Sequence, residues 1–174
     1  MGPQGSGKGT IARRILDKHD LRLISMGEIL RNSPKAVEYF EDIKHGNFAP
    51  DTLIYDIVSD YLDYEHEFLT DGFPRNLDQA NWLLNWAGDN FDIRVIYLDV
   101  PESVTWERIN KRIASGERRA DDSDTDAINT RLRLFAERTY PLLEYFKDQQ
   151  IKIHNIDAAR DLEEIVADAL AAIR

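Results

Sequence analysis

Short apolar runs alternating with helical stripes predict an α/β fold, a parallel sheet with helices on both faces. Two observations carry this. Arg94 to Val100 reads RVIYLDV, β-branched and aromatic, and stops at Pro101. Stripes such as Leu53, Ile54, Ile57, Val58, Tyr61 and Leu62 recur at helical spacing between such runs.

Taken along the chain, a glycine-rich stretch opens directly after Met1, and Ile11, Ala12, Ile15 and Leu16 follow it at helical spacing. Leu21 to Ile24 is a short strand-like run that ends at Ser25. Asp51, a good N-cap type, is expected to start the Leu53 helix. Phe68 to Thr70 is a brief apolar run halted by Asp71-Gly72. After Pro101 come helical patterns at Val104, Ile109 and Ile113, then at Ile128, Leu132 and Phe135. Ile151 to Ile156 reads as a last strand, and Leu162, Ile165, Val166, Ala169, Leu170 and Ile173 as a closing amphipathic helix. Two polar stretches, 33–49 and 115–126, read as inserts into a single domain.

The 174 residues suffice for one domain with a real core. Thirty-two acidic against 22 basic residues give a net charge of −10, a field that repels nucleic acid polymers. Cysteine is absent, which removes disulfides, thiol nucleophiles and Cys-bound zinc. No apolar run approaches the ~20 residues of a membrane span, and no signal peptide pattern opens the chain.

GPQGSGKGT, Gly2 to Thr10, follows the phosphate-loop pattern G-x-x-x-x-G-K, with Gly9 where a hydroxyl usually stands and Thr10 one residue later. Glycines let backbone N–H groups converge on phosphate oxygens, Lys8 adds a mobile charge, and the following helix aims its positive end at the same anion. A bound polyphosphate is the inference.

The GKGT form of the loop resembles that of nucleoside monophosphate kinases, and four other segments strengthen the resemblance. They are ISMGEILR (Ile24 to Arg31), DGFPR (Asp71 to Arg75) with Gln79, RRADD (Arg118 to Asp122) with Arg131, and TYPLLEYF (Thr139 to Phe146). The chain thus resembles the adenylate kinase family, short-lid type, over essentially its whole length. The resemblance implies a P-loop kinase-type sheet, an NMP-binding insert at about 25–54 and a short lid at about 113–126. It also implies transfer of a phosphoryl group from ATP to AMP with Mg²⁺, in a cytoplasmic monomer that binds neither membrane nor nucleic acid polymer.

The resemblance carries residue roles as well. Gly5, Ser6, Gly7, Lys8, Gly9 and Thr10 would hold ATP, with Arg108 and Arg112 on its phosphates and Arg160 near its base. Arg31 and Arg75 would bind the AMP phosphate. Met26, the backbone of Asn47, Phe48 and Ala49, and the Gly72-Phe73-Pro74 turn would line the AMP pocket. Gln79 would read the adenine edge. Arg119 and Arg131 would close over both nucleotides, Asp121 and Asp122 tethering lid arginines. Lys8, Arg75, Arg108, Arg119 and Arg131 would carry the catalysis. Asp71, ending a strand, would hold Mg²⁺ through water.

Plainer roles are expected elsewhere. Arg133 and Arg138 read as a solvated helix face, and Trp82 and Trp86, one turn apart, as packing. Asp122, Asp124 and Asp126 start like a calcium loop, but Ala127 and Arg133 stand where Gly and Glu are needed. His19, His45, His66 and His154 lack metal-ligand spacing.

Three departures bear on function. Met26 replaces the family's threonine or alanine beside the acceptor base, which weakens a reading of base selectivity. Asn76 and Asp78 after DGFPR point mildly to a UMP/CMP kinase. Only Met1 precedes the loop where the family carries its central strand, so the sheet is expected to lack that strand, a start assigned too late being the favoured cause. A nucleotide-binding protein without catalysis is the reading from another class.

Overall fold

The computed structural model of the chain describes residues 1–116 and 124–173. Among these the order is α1 (Lys8–Leu16), β1 (Arg22–Ser25), α2 (Met26–Asn32), a 3₁₀ segment (Pro34–Tyr39), α3 (Phe40–Lys44), α4 (Asp51–Ser59), β2 (Phe68–Asp71) and α5 (Leu77–Ala87). There follow β3 (Arg94–Asp99), α6 (Glu102–Ala114), α7 (Thr125–Leu134), α8 (Leu142–Asp148), β4 (Lys152–Asp157) and α9 (Leu162–Ala171). Every apolar run read as a strand is one. Asp124 caps α7, its side chain accepting from the Asp126 N–H at 3.0 Å. The lid residues Arg118, Arg119, Asp121 and Asp122 lie outside the described residues.

The strands form two parallel pairs rather than one sheet. β1 pairs with β2, Arg22 opposite Phe68 through Ser25 opposite Asp71. β3 pairs with β4, Arg94 opposite Lys152 through Asp99 opposite Asp157. Met1 is the start of a link between them. Its amino group donates to the Ile96 carbonyl, and its own carbonyl accepts from the Leu98 N–H at 2.9 Å. In a parallel ladder those two bonds place Met1 opposite Tyr97. Before Met1, a slot separates β2 from β3. Leu69, Thr70, Val95 and Ile96 line it, Leu69 and Ile96 packing with Ile11, Ile15 and Ile165 and Val95 with Phe146.

The layers follow from which faces are apolar. α1 and α9 share a cluster with Leu98, Val100 and Ile156. α5 and α8 cover the opposite face through Ala80, Leu142, Phe146 and Val95. A third cluster joins α2, α4 and Phe73 through Leu30, Ile54, Ile57 and Val58. The tryptophans pack, as their spacing suggested. Trp82 stacks on Tyr55 at 5.1 Å between centroids, and Trp86 packs against Tyr64 and Phe91 at 5.0 and 5.1 Å.

Burial in this arrangement pushes the Met1 amino group down to about 5, with Lys8 adding repulsion and Asp71 opposing it. Among the described residues no helix is long and apolar enough to cross a membrane.

Candidate active site

The glycine-rich loop wraps the start of α1. Gly5 and Gly7 have φ +82° and +95°, backbone that favours glycine. At Gly5 space is a second reason, since a Cβ there would stand 2.9 Å from the Thr105 carbonyl oxygen. Lys8 Nζ donates to the Gly2 and Pro3 carbonyls, each at 2.7 Å, which curls the loop around its own cation. Arg108, on α6, donates to the Ser6 carbonyl at 3.4 Å. The loop, Thr10, Arg108 and Arg112 all face one cavity of ≈ 1050 Å³.

The other end of that cavity is built around Arg75. Its guanidinium Nε donates to the Gly72 carbonyl at 2.8 Å, and the group lies 5.1 Å from the centroid of the Phe48 ring, a cation–π contact. Gly72, φ +81°, lacks the Cβ that would stand 2.9 Å from an Arg75 terminal nitrogen. Burial lowers the Arg75 pKa, and Asp71 pulls it back up. Among the described residues no carboxylate forms an ion pair with Arg75. Such an enclosed cation is poised for an anionic ligand.

The backbone of Arg75 is held on both sides. Its N–H donates to Gln79 Oε1 and its carbonyl accepts from Thr139 Oγ1, each at 2.8 Å. Arg131 donates to the Ile43 carbonyl at 3.1 Å, and Arg31 and Arg131 line the cavity together with Arg75 and Phe48. Asp71 ends β2 and lines the same cavity.

Several expected residues stand elsewhere. Met26 does not line the cavity; it is 1% exposed and packs with Leu30, Ile54 and Val58, because the chain turns it inward as β1 passes into α2. Ala49 belongs to the same core, and Asn47 is exposed outside the cavity. Gln79 is 2% exposed and does not line the cavity either, its amide being engaged within the protein. Asp51 does not cap α4. Pro50 holds the cap position, and the Asp51 carboxylate accepts from Asn76 and Gln79 instead.

Arg160 is drawn away from the cavity, paired with Asp168 and, at 3.8 Å, with Glu164. Arg160→Ala is therefore expected to leave kcat and KM for ATP within about twofold of the parent, since exposed pairs of this kind contribute little. A tenfold rise in KM would place its side chain on the nucleotide. Arg119 lies outside the described residues. Arg133 pairs with Glu137 at 2.9 Å, one helical turn on, as its solvated reading implied.

Sequence reasoning missed two parts of the site: the Phe48 ring beneath Arg75, where only the backbone was expected to matter, and the Thr139 hydroxyl behind it. The threonine of TYPLLEYF was the available signal for the second.

The glycine-rich loop at the start of α1 and the separate arginines Arg31, Arg75 and Arg131 line one cavity, and the loop has the pattern of a P-loop protein. The family model described as adenylate kinase matches residues 1–151. Adenylate kinases of Mycobacterium tuberculosis (strain H37Rv), Prochlorococcus marinus (strain MIT 9301) and Micrococcus luteus are 35%, 36% and 36% identical to it. The alignments cover 99%, 97% and 99% of this chain, and 96%, 93% and 88% of those proteins. The chain belongs to the adenylate kinase family.

Proposed function

We propose that this protein moves the terminal phosphoryl group of ATP to AMP, giving two ADP. The observation that carries the reading is the Arg75 guanidinium, enclosed in the same cavity as the glycine-rich loop and, among the described residues, without a carboxylate partner. Two polyanions repel, so the chain must neutralise both and hold attacking and leaving oxygens in line. Loop N–H groups and Lys8 hold the donor phosphates, and Arg108 and Arg112 flank them. Arg75 and Arg31 grip the acceptor phosphate, the planar fork of each matching two oxygens. Arg131, and Arg119 by resemblance, add charge between the two. Residues at about 25–54 form the acceptor-binding insert in this reading, and those at about 113–126 the lid.

The donor set suits Mg²⁺, which keeps its waters and needs few protein ligands. Asp71 would hold it through water, with the Thr10 hydroxyl nearby in the first turn of α1. When bound, the ion neutralises charge shared between phosphate oxygens. The same reading takes the protein as a cytoplasmic monomer.

Incubation with Mg·ATP and each of AMP, CMP, UMP and GMP tests it. ADP formation that depends on AMP is expected. A preference for CMP or UMP would move the chain to the pyrimidine enzymes, which Asn76 and Asp78 allow. Tight ATP binding without transfer to any acceptor would make it a nucleotide-binding protein only.

A further inference from the structure

Behind Arg75 the side chains of Asp51, Asn76 and Gln79 form a polar network. Asp51, the first residue of α4, accepts from Gln79 Nε2 at 2.6 Å and from Asn76 Nδ2 at 3.0 and 3.1 Å. Asn76 caps α5 by accepting from the Gln79 N–H at 2.8 Å, and Gln79 Oε1 accepts from the Arg75 N–H at 2.8 Å.

The orientation of the Gln79 amide is dictated from both ends. A carboxylate has no proton to give, so the amide nitrogen must face Asp51. The Arg75 N–H has only a proton to give, so the amide oxygen must face Arg75. Gln79 is 2% exposed, so water is poorly placed to replace either partner. Turned around, the amide would set donor against donor at Arg75 and oxygen against oxygen at Asp51.

We infer that Asp51 is a positioning residue for Arg75, acting through the Gln79 amide. The carboxylate sets the amide, the amide oxygen holds the Arg75 N–H, and Thr139 holds the Arg75 carbonyl. The guanidinium then leaves a fixed backbone toward Gly72 and Phe48. The network also ties the start of α4 to the start of α5, so both walls of the acceptor end share one anchor.

That the held arginine serves an acceptor phosphate rests on the proposed function; the link from Asp51 to Arg75 does not. The test therefore begins with NMR on the full chain. In Asp51→Leu the Gln79 amide nitrogen loses its acceptor, and the Arg75 backbone amide proton is expected to move upfield and lose its protection from exchange. Gln79→Glu sets carboxylate against carboxylate and should displace the same signal. The double variant Asp51→Asn with Gln79→Glu restores complementarity with the charge moved from one side chain to the other. One oxygen of the new carboxylate accepts from the Arg75 N–H and the other from the new amide on α4, so the Arg75 signal should return. An Arg75 amide that is the same in the parent and in Asp51→Leu would overturn the inference. So would a double variant that leaves the signal displaced.

Kinetics add the functional reading. KM for AMP is expected to rise about tenfold in Asp51→Leu, the worth of one such hydrogen bond, with KM for ATP unchanged. An equal loss on both nucleotides would mark general damage and count against positioning. If the parent protein itself fails to use AMP, the proposed function falls, while the NMR result still decides the role of Asp51.

Discussion

Arg75→Ala is expected to lower kcat/KM for AMP about 10³-fold, the scale seen when a charged donor at a transferring phosphoryl group is removed. The reason lies in how the side chain is held. Its guanidinium is steered by the Gly72 carbonyl and the Phe48 ring, and among the described residues no carboxylate pair is broken by removing it. Stability should thus change little, by about 1 kcal/mol for the lost ring contact. Arg75→Lys keeps the charge and loses the planar fork, so a drop of about 10²-fold is expected there. Steady-state kinetics with AMP varied at saturating Mg·ATP, alongside thermal melts, separates the two effects. Loss of activity in step with loss of folded protein would refute the assignment.

The second large effect is on stability. Adding five apolar β-branched residues before Met1 is expected to raise the melting temperature by ~6–12 °C, equivalent to about 3 kcal/mol for a chain of this size. The slot between β2 and β3 is already walled by Leu69, Val95, Ile96, Ile11 and Phe146. Met1 opposite Tyr97 sets the register, so preceding residues would fall opposite Ile96, Val95 and Arg94. Each buried aliphatic side chain stabilises by ~1.5–3 kcal/mol before ordering costs are subtracted. A Gly-Ser extension of equal length is the control. If it stabilises as much as the apolar one, the slot does not take a strand.

The same variants carry a pH signature. The Met1 amino group is held near 5 in the folded 174-residue chain against 8.0 when exposed. The unfolded chain therefore binds the extra proton between those values, and stability rises with pH from about 5 to 8. Below pH 5 both states hold the proton and the dependence stops. At pH 7 the effect is about 1.4 kcal/mol against folding. Either extension moves the amine out of the slot and should flatten the curve, which denaturant titrations at pH 5, 6, 7 and 8 would show.

What the sequence made legible follows the range of each signal. The phosphate loop, β1 to β4 and the stripes of α1, α4 and α9 are local patterns, and all appear where their residues suggest. Asp51 was misjudged because N-cap preference is local, whereas its real partners, Asn76 and Gln79, stand far along the chain. Gln79 matches its motif position, but a motif does not reveal that both ends of its amide are engaged. Arg160 follows the last strand as expected, yet Glu164 and Asp168 on α9 reach it first. Met26 shows the same gap between position and direction, since the turn from β1 into α2 sends it to the core.

Trp82 offers a last consequence. Its indole lies on Tyr55 of α4 and edge-on to Phe73, beside the turn that carries Arg75. Its emission is therefore a native optical gauge of the acceptor end, legible without any attached dye. Trp86, clustered with Tyr64 and Phe91 farther along α5, shares the helix but reports on a different neighbourhood. Trp106, on α6, is remote from both. A protein carrying Trp86→Phe and Trp106→Phe would leave Trp82 to be followed during a stopped-flow encounter with AMP.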